Sequence, residues 1–213
     1  MTAPMLVLTA VAAVCAAATA WAETAGRKDI LWFVKPSATV AIIVLAAMQP
    51  GTHSPAVYKT FLLAGLAASL AGDVFLIEID KYFRPGLAAF LVAQILYIRA
   101  FLAVTPPRVD FLSVLPLLLT GLFMMAILFP HLGKAKVPVA VYILSLTVMA
   151  GLASNRYILS GGGAAFRAFL GAILFLISDA ILALNKFVRK IPCGRAANIS
   201  LYFVAQWLLA MSI

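Results

Sequence analysis

Apolar residues fall along this chain in long continuous runs, separated by short clusters of charge, Pro and Gly. A run of about 20 apolar residues matches the ~30 Å hydrocarbon core of a bilayer at the helical rise. The punctuation divides the chain into spans at residues 3–22, 29–49, 56–78, 83–104, 110–129, 136–153, 162–185 and 196–213. The pattern predicts an all-α integral membrane protein, a bundle of about eight transmembrane helices. A membrane barrel would instead alternate apolar and polar positions in short segments. The short connections make consecutive helices antiparallel neighbours. No polar stretch is long enough for a second unit, so residues 1–213 read as a single transmembrane helical domain.

Composition agrees with the pattern. Hydrophobic residues make up 65% of the chain and charged ones 11%, against roughly 25% charged in soluble domains. The net charge of +9 would raise the question of nucleic acid in a soluble protein. Here most Lys and Arg sit in short loops between apolar runs, where they orient helices and meet anionic headgroups. No basic stripe with interleaved aromatics is present, and nucleic acid is set aside as a partner. Residues 1–22 end in Ala20-Trp21-Ala22, a mimic of a signal-peptidase site. No Lys or Arg precedes the run and it is long enough to span, so it reads as a retained first helix.

The loops after the first, third, fifth and seventh spans hold ten basic residues: Arg27, Lys28, Lys81, Arg84, Lys134, Lys136, Lys186, Arg189, Lys190 and Arg195. The others hold three, Lys59, Arg108 and Arg156. The excess places the odd loops in the cytoplasm and both termini outside, in a multi-pass inner membrane protein. A short echo links the third and seventh spans. Gly72-Asp73-Val74-Phe75-Leu76 resembles Ser178-Asp179-Ala180-Ile181-Leu182, and each is followed by Lys and an aromatic. The two lie four spans apart, as two pseudo-repeated four-helix halves would place them.

Ionisable groups inside spans are costly and usually face a protein interior or cavity. Asp73 and Asp179 each sit about 17 residues into their spans, some 25 Å along the helix. Equal depth from separate stretches is what a shared site requires, and the two are the candidate catalytic carboxyls. Lys35, at the head of the second span, can neutralise one of them or snorkel toward headgroups. Gln94 and Tyr97 share a face of the fourth span, as Tyr202 and Gln206 do in the last. Together with Ser178 and Lys35 they are the candidate substrate-binding residues. Asn155 and Tyr157 read as interfacial. His53 and His131 fall in loops on opposite sides, and two Cys without a CxxC pair give no metal site. No GxSxG elbow with a usable His, HExxH or phosphate-binding Gly loop is present. What remains is acid/base chemistry or proton coupling by a carboxyl pair, with no cofactor required.

Several motifs resemble one family. Lys35-Pro36, Gly72-Asp73-Val74-Phe75-Leu76, the run from Phe83-Arg84-Pro85-Gly86 to Tyr97, Gly171 through Ser178-Asp179 to Ala183, and Tyr202 with Gln206 are similar to the YhhN-type transmembrane proteins, which include the lysoplasmalogenases. The resemblance runs from Lys35 to Ser212. It implies an eight-helix membrane hydrolase that cleaves the vinyl ether of lysoplasmalogens, releasing a fatty aldehyde and glycerophosphoethanolamine or glycerophosphocholine. The family's acidic pair maps onto Asp73 and Asp179. Where the family pattern commonly has a His before the Tyr of the fourth span, this chain has Gln94, which bears on rate or substrate preference. The implied partners are a lysophospholipid and the membrane, with no protein partner.

The chemistry suits the residues. A vinyl ether hydrolyses by protonation at carbon, and water traps the resulting oxocarbenium ion. One carboxyl can supply the proton while another steadies the cation, as in glycosidases. The competing reading is a proton-coupled small transporter or lipid-binding membrane protein, in which the same Asp pair carries protons.

Overall fold

The computed structural model describes residues 2–50, 55–105, 108 and 110–213. In chain order the helices are α1 (Ala3–Thr24), α2 (Lys28–Met48), α3 (Ala56–Phe75), α4 (Ile79–Leu102), α5 (Phe111–Leu128), α6 (Lys136–Ser160), α7 (Gly162–Phe187) and α8 (Gly194–Ala210). Short 3₁₀ turns at Leu76–Glu78, Phe129–His131 and Gly133–Ala135 join α3 to α4 and α5 to α6. Six helical stretches are long and apolar enough to cross a membrane, with Ala56–Leu102 counted as one 47-residue stretch. The molecule is a multi-pass helical membrane bundle. Large apolar side chains such as Leu112, Leu122 and Phe123 on α5 point outward, which suits lipid as the surrounding solvent.

Local chemistry sets the helix ends. Gly26 (φ +69°) closes α1, and Gly161 and Gly162 (φ +63° and +81°) break the chain between α6 and α7, a conformation that Gly adopts without the Cβ clash. Asp110 caps α5 by accepting from the Ser113 amide at 2.8 Å, satisfying one of the orphan donors of the first turn. Ahead of α2, the exposed Arg27 guanidinium grips Asp29 at 2.7 Å.

Two boundaries differ from the sequence pattern. The expected loop at residues 79–82 is helical, and α4 begins at Ile79 with a kink at Tyr82 (φ −115°, ψ 26°). Helix α6 runs to Ser160, past the expected end at 153. Asn155, expected at the interface, is instead buried. It accepts from the Asp110 amide at 2.7 Å and donates to the Arg108 carbonyl at 2.9 Å. Arg156, expected in a loop, lies within α6 over the Tyr58 ring at 4.6 Å. Partners for these polar groups let the helix continue where composition suggested a stop.

Helices α3 and α4 run antiparallel at close range, with Gly65 against the Tyr97 ring and Gly72 against Phe90. A Cβ at Gly72 would come within 2.6 Å of that ring. Helices α7 and α8 also lie side by side. Asn198 donates to the Ser178 carbonyl at 2.8 Å, and the Ser178 hydroxyl returns a bond to the Asn198 carbonyl at 3.0 Å. These two pairs bring Asp73, Asp179 and Tyr202 to one end of the bundle.

Candidate active site

Asp73 and Asp179 each stand 17 residues after the first residue of their helices. Asp73 belongs to the buried face of α3 that also carries Leu62, Leu66 and Ser69. Helix α2 supplies two partners one turn apart. The Thr39 hydroxyl donates to Oδ2 at 2.6 Å, and the Lys35 ammonium stands 3.6 Å from Oδ1. From α8 the Tyr202 hydroxyl donates to the same Oδ2 at 2.7 Å. Asp73 is only 1% exposed, and a buried carboxyl requires such donors.

Aromatic packing fixes Tyr202. Phe90 and Phe175 meet its ring edge-on, with centroids at 5.6 and 5.7 Å, the arrangement that ring quadrupoles favour. A polar relay stands behind it. Gln206, one turn along α8, donates to the Tyr202 hydroxyl at 3.1 Å and accepts from Tyr97 at 2.8 Å. Tyr97 in turn lies 3.3 Å from the Ser69 hydroxyl. Four helices therefore contribute to the setting of one carboxyl.

Asp179 is held differently. Its Oδ2 accepts a hydrogen bond from the Tyr142 hydroxyl of α6. Among the described residues no Lys, Arg or His nitrogen lies within 4.0 Å of it. Gln94, fully buried on α4, faces the Tyr142 phenol but pairs neither of its polar atoms with protein.

Both carboxyls line one cavity of about 460 Å³, together with Lys35 and Tyr202. Its rim includes the exposed Asp80, Lys190 and Arg195, and the ion pairs Lys186–Asp80 and Arg195–Glu23 span 3.3 Å each. Beside it lies a narrow, almost wholly apolar cleft of about 60 Å³ among α4, α5, α6 and α7. Tyr142, Leu146, Met124 and Leu87 are among its walls. Leu76, Phe90, Asp179 and Leu182 are walls of both spaces, so the cavity and the cleft adjoin across these residues, Asp179 among them.

Of the residues expected from sequence, Asp73, Asp179, Lys35 and Tyr202 are brought together around the cavity. Tyr97 and Gln206 stand behind Tyr202 and reach the cavity only through it. Ser178 faces α8 and ties the two helices rather than lining the cavity. Thr39 and Tyr142 escaped the sequence reading. Thr39 had a signal, lying one turn from Lys35 on the same face of α2. Tyr142 had none, because a lone phenol in an apolar run reads as core.

Among the described residues no three His, Cys, Asp or Glu side chains converge on a point. His131 contacts its own helix at the Ile127 carbonyl, and His53 lies outside the described residues. The arrangement offers proton transfer at two carboxyls, one in a polar cavity beside a cation and one where that cavity meets an apolar slot.

The chain is similar to a family of membrane proteins. The YhhN family model matches residues 30–213. Lysoplasmalogenase TMEM86B of Mus musculus is 37% identical over 173 residues, covering 80% of this chain and 69% of that protein. Lysoplasmalogenase TMEM86A of Bos taurus is 38% identical over 168 residues, covering 76% and 67%. The uncharacterized membrane protein YhhN of Escherichia coli is 27% identical over 184 residues, covering 85% and 86%. No solved structure matches the chain.

Proposed function

This chain belongs to the YhhN family, and we propose that it is a membrane-embedded hydrolase of lysoplasmalogens. It cleaves the vinyl ether to give a fatty aldehyde and glycerophosphoethanolamine or glycerophosphocholine, with Asp73 and Asp179 as the acid/base pair. The observation that carries the reading is the junction at Asp179 of a polar, charged-rimmed cavity with an apolar cleft. A single-chain lipid has the same division. Its headgroup and glycerol suit the cavity and its hydrocarbon the cleft, which puts the vinyl ether between them, beside both carboxyls. The relatives named lysoplasmalogenase support the same substrate.

Lys35, Thr39 and Tyr202 orient Asp73, and Tyr97 and Gln206 brace Tyr202. Removing water from around the reacting bond strengthens the attraction between a carboxylate and a developing oxocarbenium ion. The topology belongs to the same proposal. With α3 and α4 as separate crossings and α8 as a further one, the chain passes the membrane eight times as one domain of two related halves. The basic loops then face the cytoplasm of the inner membrane and the termini lie outside.

Aldehyde release by the detergent-purified protein tests the reading. The vinyl ether lipid should yield aldehyde and its saturated alkyl ether should not. Folded protein that binds the lipid yet releases no aldehyde would refute it and leave proton-coupled transport as the use of the carboxyls.

A further inference from the structure

The two carboxyls are held in unlike ways, and the difference bears on the hydrolysis proposed above, on which this inference rests. Asp73 accepts from Thr39 and Tyr202 at Oδ2, and the Lys35 ammonium pairs with Oδ1 at 3.6 Å. It is surrounded as an anion would be. Among the described residues Asp179 receives a single phenol, at Oδ2, and no Lys, Arg or His nitrogen within 4.0 Å. It also lines the apolar cleft, where the proposed pose sets the substrate's double bond.

We propose that Asp179 delivers the proton to the vinyl ether carbon, with Tyr142 as its positioning residue, while Asp73 remains the anion across the cavity. The proton passes from Asp179 to the second carbon of the double bond, whose electron pair forms the new C–H bond. Positive charge appears on the first carbon and the ether oxygen, in range of Asp73. Water adds to the first carbon and returns a proton to Asp179, giving a hemiacetal. Its C–O bond to glycerol then breaks as the hydroxyl proton moves to the departing oxygen. One water is consumed, nothing is oxidised or reduced, and Asp179 ends as it began.

The Tyr142 phenol pins Oδ2 and leaves Oδ1 to turn toward the cavity. If Tyr142 served only to satisfy a buried carboxyl, its loss would disturb stability and leave the chemistry alone.

Infrared spectroscopy of the full-length protein in lipid membranes reads the assignment without relying on turnover. The carbonyl band of a carboxylic acid should be present at neutral pH, vanish in Asp179→Asn and survive in Asp73→Asn. In Tyr142→Phe it should move, because the carboxyl loses its hydrogen bond. No such band in the wild type, or its loss in Asp73→Asn instead, overturns the assignment. With a lysoplasmalogen, Tyr142→Phe should lower kcat about 10- to 100-fold with KM near wild type. An unchanged kcat removes Tyr142 from the mechanism. Absence of aldehyde from the wild type would sink the hydrolase reading itself, while the band still reports which carboxyl holds a proton. Should Tyr142→Phe not fold, the two Asp variants decide the matter.

Discussion

Tyr202 of α8 donates its hydroxyl to Asp73 of α3 at 2.7 Å, closing a contact between residues 129 positions apart. The bond depends on neighbours that keep the ring upright, Phe90 and Phe175 on its faces and Gln206 at its hydroxyl. Tyr202→Phe keeps the ring and removes only the donor. Hydrogen bonds to charged groups contribute about 1.5–3 kcal/mol, so thermal unfolding in detergent should show a loss of that order. Aldehyde release should fall further than stability explains, because Oδ2 then keeps only the Thr39 donor. Wild-type turnover in Tyr202→Phe would separate this phenol from the chemistry.

Lys35 is the cation nearest to Asp73, with its side chain 11% exposed against 1% for its partner. Removing one member of a buried pair leaves the other uncompensated, at a cost of about 3–5 kcal/mol. Lys35→Met should therefore destabilise strongly, and Lys35→Met combined with Asp73→Asn should recover much of the loss. A double-mutant cycle on the unfolding midpoints measures the coupling. Additive losses would mean that Lys35 serves the membrane surface and not Asp73.

Gly72 borders Phe90, the ring shared by the cavity and the cleft. A methyl group there would come within 2.6 Å of the ring, and overpacking of this kind costs about 1–3 kcal/mol. Gly72→Ala should push Phe90 aside, and Phe90→Leu should relieve the clash. Activity restored in the double variant is the expected result. A fully active Gly72→Ala single variant would show that this contact does not shape the site.

The apolar cleft makes its own prediction. Ala180 lines it next to Asp179, and Ala180→Leu should fill a slot of only about 60 Å³. KM should rise for long-chain vinyl ether lipids and change little for short-chain ones. Equal effects on both would place the hydrocarbon elsewhere.

The sequence exposes some parts of this arrangement better than others. Helix α5 was legible almost to the residue, since a long apolar run punctuated by charge before it and Pro130 after it marks both ends. Helix α6 was not, because Asn155 and Arg156 look like loop residues until the Asp110 amide, the Arg108 carbonyl and the Tyr58 ring come into view. Asp73 and Asp179 stood out because charge in an apolar run is rare. Lys35 followed from its place at the head of a span, and Tyr202 from its helical spacing to Gln206. Tyr142 did not, since its partner lies 37 residues away on a different helix, and pairings of that kind come from tertiary packing. Ser178 shows the reverse error, a small polar residue beside a carboxyl that turns its hydroxyl to a neighbouring helix.

A cavity with a charged rim and an apolar slot that meet at one carboxyl also separate what a cleavage there would make. Under the proposed hydrolysis the water-loving fragment would leave past Lys190 and Arg195 into the aqueous phase, while the aldehyde would stay with the hydrocarbon and drain into the bilayer. In such a protein the two products never compete for one exit. Each departs down its own partition gradient, and a membrane already loaded with aldehyde would slow turnover even when the water beside it holds no product.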